Sequence, residues 1–156
     1  MTLHPVPRNV PDVVASEDTV LAGWTRAWTG VVVLAVVNGG IHRAYEQPLG
    51  ELRAHQLSGV TLLLLLAPWA ARTQRRHPLT TARAAVEAGA VWAGCTVAFE
   101  FLFFHYVGGQ SWAQLLHDYD LTQGRIWGLV VCGIALAPAL AGAASFRRRG
   151  SRSDRS

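Results

Sequence analysis

The chain has no lysine at all; its fourteen basic residues are all arginine. Charge of either sign is scarce, 15% of 156 residues, and there are only two cysteines. So little charge argues against an ordinary soluble domain of this size. Cys95 and Cys132 form no CxxC pair and no metal-ligand spacing, which excludes a disulfide framework and the usual zinc and thiol-redox motifs. Both fall within apolar stretches, where a thiol behaves as a small core residue. What the chain does have is apolar side chains, 51% of the total, more than a soluble domain of this length carries.

Those side chains come in runs. A helix that crosses the ~30 Å hydrocarbon core needs roughly 20 apolar residues. Four stretches qualify, at about 24–41, 52–71, 84–107 and 126–146. The expected fold is therefore all-α, an integral membrane four-helix bundle over 16–146, between a flexible cytoplasmic tail at 1–15 and a basic cytoplasmic tail at 147–156. Ser16 ahead of Glu17 and Asp18 reads as a helix start, and Thr80 or Thr81 after Pro78 as another. Trp24 and Trp28 stand near a span end and read as interfacial anchors, and Trp69 marks the cytoplasmic end of the second span. Between the last two spans, Ser111 and Gln114 fit a capping box. Trp112, Leu115, Leu116 and Tyr119 follow at helical spacing, so a short interfacial helix is expected in the last outer loop.

Arginine placement sets the expected orientation, since basic residues near span ends are retained in the cytoplasm. Arg8, Arg26, Arg72, Arg75, Arg76, Arg83, Arg147, Arg148, Arg149, Arg152 and Arg155 fall on one side, and Arg43, Arg53 and Arg125 on the other. The first side is the cytoplasm, and both termini lie there. The start of the chain lacks the basic region and cleavage site of a signal peptide, so the first apolar segment is expected to stay in the membrane. The net charge of +4 reflects the arginine-rich end after the fourth span, which faces anionic lipid; no aromatic-interleaved basic surface points to nucleic acid. The lipid bilayer is thus the expected partner. Small-residue stripes, Gly89-Ala93-Thr96-Glu100 in the third span and Gly128-Cys132-Ala135-Ala139-Gly142 in the fourth, permit close packing within the bundle or between copies.

Polar residues gather at the outward ends of the spans. The candidate cluster is Asn38, His42, Arg43, Glu46, Glu51, Arg53, His55, Glu100, His105 and Arg125. Asn38, His42 and Glu46 share one helix face, as do Glu51 and His55. Glu100 stands out because it lies inside the apolar run Val97-Ala-Phe-Glu-Phe-Leu-Phe-Phe104, where a carboxylate has to be paired, protonated or wet. Arg43, Arg53, His55 and Arg125 are its expected partners. A structural ion pair that fixes helix register and a functional carboxylate both remain open. No cofactor is predicted; haem or a metal would fall to the outer histidines, with His55 and His105 as ligands, although no HxxxH, HxH or ExxH spacing supports it.

The stretches Asn38 to Ser58, Phe99 to Tyr106 and Asp118 to Trp127 resemble a group of short, uncharacterised bacterial four-span membrane proteins. The resemblance covers about 24–139 and implies a bacterial inner membrane, but no activity. Other four-span families fit less well: a small multidrug exporter carries its membrane glutamate in the first helix, which has none at mid-depth here. Three functional readings follow. The first is a non-catalytic accessory or structural protein, the second a small-solute or proton-coupled transporter using Glu100, and the third a metal- or haem-binding redox protein.

Overall fold

A computed structural model describes residues 16–153, with the side chains of 43–45 and 144–153 outside the description. Among the described residues every regular element is helical. Helix α1 runs Glu17–Leu49, α2 Glu51–Arg76, α3 Ala82–Tyr106, α4 Trp112–His117 and α5 Trp127–Ser153, with a short 3₁₀ turn at Leu121–Gln123 before α5. The helix starts follow their capping residues. Ser16 accepts from the Thr19 amide and Thr81 from the Ala84 amide, while Ser111 and Gln114 complete a reciprocal capping box on α4.

Three helical segments, Glu17–His42, Glu51–Arg76 and Ala82–Tyr106, are long and apolar enough to cross a membrane; the described apolar part of α5, Trp127–Ala143, is shorter. Their outward surfaces are greasy. Leu64 is 70% exposed, Val86 67% and Leu140 71%, a pattern that a chain folded in water avoids and that hydrocarbon rewards. Pro68 and Pro138 sit inside α2 and α5, and Pro138 is fully buried, packed where neighbouring helices shield the interrupted hydrogen bonds.

The four long helices lie side by side, α1 on α2 and α3, and α5 on α2 and α3. Helix α1 extends past the expected limit of its span to Leu49, and the connection to α2 is the single residue Gly50 at φ 77°. A left-handed backbone at that point needs glycine, and it reverses the chain in one step. A second close approach occurs where Gly89 of α3 lies against the Ala135 carbonyl of α5, with no room for a Cβ. Of the expected α5 stripe, Ala135 makes that contact, Ala139 packs against the core and Gly142 is buried, whereas Cys132 is exposed; Val130, Ile134, Ala137 and Pro138 are buried beside them.

At the opposite end of the long helices Trp24 departs from the expectation of an interfacial anchor. Trp24 is fully buried, its ring 5.1 Å from that of Trp92. Its indole donates to the His77 carbonyl at 2.8 Å, and the Trp92 indole donates to the Trp24 carbonyl at 2.7 Å. Trp69 donates to the Ala27 carbonyl at 3.0 Å and covers Gly30. Each indole thus binds a helix to its neighbour, with the polar N–H satisfied and the ring filling the core. The α2–α3 connection is closed by Gln74, whose side chain accepts from the Leu79 amide and donates to its carbonyl.

Candidate functional site

The Gly50 hairpin brings the polar end of α1 against the start of α2. Asn38 is buried, and its amide donates to the Ser58 carbonyl at 2.9 Å and to the Ser58 hydroxyl at 2.7 Å. This pins α1 to α2 one turn below His42. One and two turns on from Asn38, His42 and Glu46 lie on the same face of α1, as their spacing predicts, and reach a shared space with Glu51 and His55 of α2.

That space is a cleft with two chambers. The outer chamber, about 650 Å³, is polar, walled by those four residues together with Gln114, His117, Asp118 and Arg125 from the far loop. The inner chamber, about 510 Å³, runs between α1 and α3 and is mostly apolar, with Phe99, Phe103, Phe104 and Trp127 in its walls and Glu100 among them. His42, Glu46, His55, Gln110 and Asp118 border both, so one chamber opens on the other.

Glu100 is 6% exposed. Its expected partners were arginine and histidine; its described partners are the Tyr119 hydroxyl, donating at 2.8 Å, and the Trp127 indole, both on Oε2. The physical reason is competition. Arg125 is held by Glu51 at 2.6 Å and by Asp118 at 3.0 Å, and Arg53 is exposed on α2. Arg43, also expected here, lies outside the described side chains. Tyr119 reaches Glu100 because α4 folds the loop back over α3, where Phe101 packs against both Trp112 and Tyr119, at 6.1 and 5.9 Å between ring centroids. Burial first, and then the carboxylate of Glu100, raise the Tyr119 phenol well above the ordinary tyrosine range. Asp120, in the same loop, moves the other way, because the Thr122 hydroxyl and amide and the Gln123 side chain hydrogen-bond its carboxylate.

The histidines divide. His42, His55 and His117 border the outer chamber, and Nδ1 of His42 and Nε2 of His55 are buried without a hydrogen-bond partner among the described residues. His105 is elsewhere: its ring stacks on Trp112 at 3.8 Å and its Nδ1 donates to the Gln110 carbonyl at 2.8 Å. The weak ligand pair His55 and His105 is therefore not brought to one cavity. Among the described residues no group of three or more His, Cys, Asp or Glu is placed to hold a metal ion.

The sequence cluster thus resolves into parts. Asn38 is a helix clamp, Arg125 bridges Glu51 and Asp118 across the mouth, and Glu100 lines the inner chamber together with His42, Glu46 and His55. Tyr119 and Trp127 were not singled out as site residues, although each combines an apolar ring with one donor, which is what a carboxylate in an oily wall requires. Comparison with protein-family models, with curated proteins and with solved structures finds no match to this chain.

Proposed function

We propose that the chain crosses a bacterial cytoplasmic membrane four times, through α1, α2, α3 and α5, and that the cleft at the Gly50 end is a small-solute site of the kind a carrier uses. Three apolar helices of spanning length, and a fourth lying alongside two of them, support the membrane reading. The arginine imbalance supports the orientation, with the segments before α1 and after α5 in the cytoplasm and the cleft facing outward. In that frame α4 lies in the outer interface, its exposed Trp112 and Leu116 toward lipid headgroups.

The observation that carries the solute reading is the position of Glu100. A carboxyl group one to two turns inside an apolar span, bonded among the described residues to neutral donors and bordering a chamber that opens on a polar mouth, is built to meet something that arrives. A knot of arginine and glutamate would favour a purely structural role, and that role falls instead to Arg125, whose two ion pairs tie α2 to the last loop. The accessory reading accounts for Arg125; it gives no account of the cleft. Haem or metal binding has less support, since His105 is turned away from the cavity.

The test is a thermal-shift panel on the full chain in detergent, with amines, carboxylates, sugars and nucleosides. A solute that binds the folded state raises the melting midpoint by mass action. The increase is expected for one class of solute and is expected to vanish in Gly40→Leu, which fills the α1 wall of the inner chamber where an added Cβ meets nothing within 4 Å. A panel in which no solute moves the midpoint returns the cleft to the structural reading.

A further inference from the structure

The charge balance and wall chemistry of the cleft point to one class of ligand. We propose that the site takes a small amphipathic amine in its protonated form, with the ammonium group beside Glu100 and the apolar body against the phenylalanines. This rests on the solute-site reading and deepens it.

Four acids border the cleft, Glu46, Glu51, Glu100 and Asp118, and among the described residues one arginine, Arg125, does so. Arg125 is already shared between Glu51 and Asp118. Even with Arg43 counted, the acids outnumber the arginines by two, so an anion entering the cleft meets repulsion and a cation meets attraction. Glu46 stands exposed at the mouth, where it draws cations inward, and Glu100 lies in the wall of the inner chamber with no cationic side chain among its described hydrogen-bond partners. In the low-dielectric inner chamber a charge pair is worth several times what it is worth in water.

The walls fit the rest of such a molecule. Phe99 and Phe103 stack at 5.1 Å and, with Phe104 and Trp127, offer ring surfaces to both an apolar body and a cation. The volume of about 510 Å³ lies within the range of small-molecule sites, roughly 300–1,000 Å³. The unpartnered nitrogens of His42 and His55 add the complementary feature, since an imidazole nitrogen that carries no proton accepts a hydrogen bond and an ammonium donates several. A quaternary ammonium has no N–H for them; a protonated amine does.

Three probes that share one body separate the alternatives: 2-phenylethylammonium, 2-phenylethanol and phenylacetate. Their binding to the purified full chain is measured by equilibrium dialysis at neutral pH, with empty micelles as the partition blank. The ammonium is expected to bind about 10-fold tighter than the alcohol, a difference near 1.4 kcal/mol, and phenylacetate most weakly. Glu100→Gln should erase the preference for the ammonium while the alcohol still binds, which also reports that the cavity is folded. Should Glu100→Gln bind none of the probes, Glu46→Gln, at an exposed position, is expected to weaken the ammonium about 3-fold and leave the alcohol unchanged. Alcohol or phenylacetate binding as tightly as the ammonium, or a preference that survives both substitutions, overturns the proposal and leaves the solute site standing. Failure of all three probes to bind, with the solute panel also silent, overturns both.

Discussion

Two glycines on α3 provide a direct test of how the helices meet. A Cβ added at Gly89 would collide with the Ala135 carbonyl of α5, whereas one added at Gly94 meets nothing within 4 Å. Gly89→Ala and Gly94→Ala therefore change the same helix by the same atom. The gain from replacing glycine in a helix interior, about 1 kcal/mol in soluble hosts, is common to both and cancels in the comparison. What remains is the strain of pushing α3 and α5 apart, about 1–3 kcal/mol for overpacking by one methyl group. The neighbour is backbone, which cannot rotate away, so the upper half of that range is expected. Gly94→Ala should be neutral or slightly stabilising and Gly89→Ala clearly destabilising, measured as unfolding in mixed micelles of increasing denaturing-detergent fraction. Equal stability of the two variants would refute the α3–α5 register, and with it the placement of Glu100 relative to Trp127.

Arg125→Gln removes ion pairs to Glu51 and Asp118 and should cost roughly 1–2 kcal/mol, since both acids are partly exposed; the loss should shrink in high salt, as melts at two ionic strengths will reveal. Trp24→Ala empties a fully buried site and removes the indole donor to the His77 carbonyl, at a cost of about 3–5 kcal/mol, read as loss of the monodisperse peak in detergent chromatography. Tyr119 carries a phenol raised above its unfolded value, so its contribution to stability is complete below the unfolded pKa of about 10 and is lost as pH rises toward the folded value. Ultraviolet titration of the wild type minus that of Tyr119→Phe should accordingly show no ionisation at the ordinary tyrosine midpoint. For Asp120, whose folded pKa is depressed, the sign reverses: stability is present above the unfolded value near 3.9 and fades as pH falls below it, seen as amide shift changes at Thr122 and Gln123.

Much of the architecture is legible in residue order because lipid imposes so few solutions. Runs of about 20 apolar residues have to be helices, as no other single segment satisfies its own peptide groups in oil. Local chemistry added the starts of α1, α3 and α4, since Ser16, Thr81 and Ser111 cap amides only three residues away. The i, i+4 pair of Arg83 with Glu87 is local in the same sense. The gathering of polar residues at one end followed from counting along the chain, because alternate helix ends must meet at the same level.

What the one-dimensional record does not contain is which donor wins when several can reach one acceptor. Glu100 is bonded by Tyr119 and Trp127, 19 and 27 positions away, because Arg125 is occupied by acids from two other elements. Trp24 lies in the core because the His77 carbonyl and the Trp92 ring meet it there, although its place near a span end is equally that of an interfacial anchor. Residue order thus determined that this chain is helical, apolar on its outside and polar at one end. The tertiary structure decided that the polar end is a cleft with a carboxyl group in its inner wall, because pairing between side chains on different helices depends on helix rotation and loop return, and neither is fixed by local sequence.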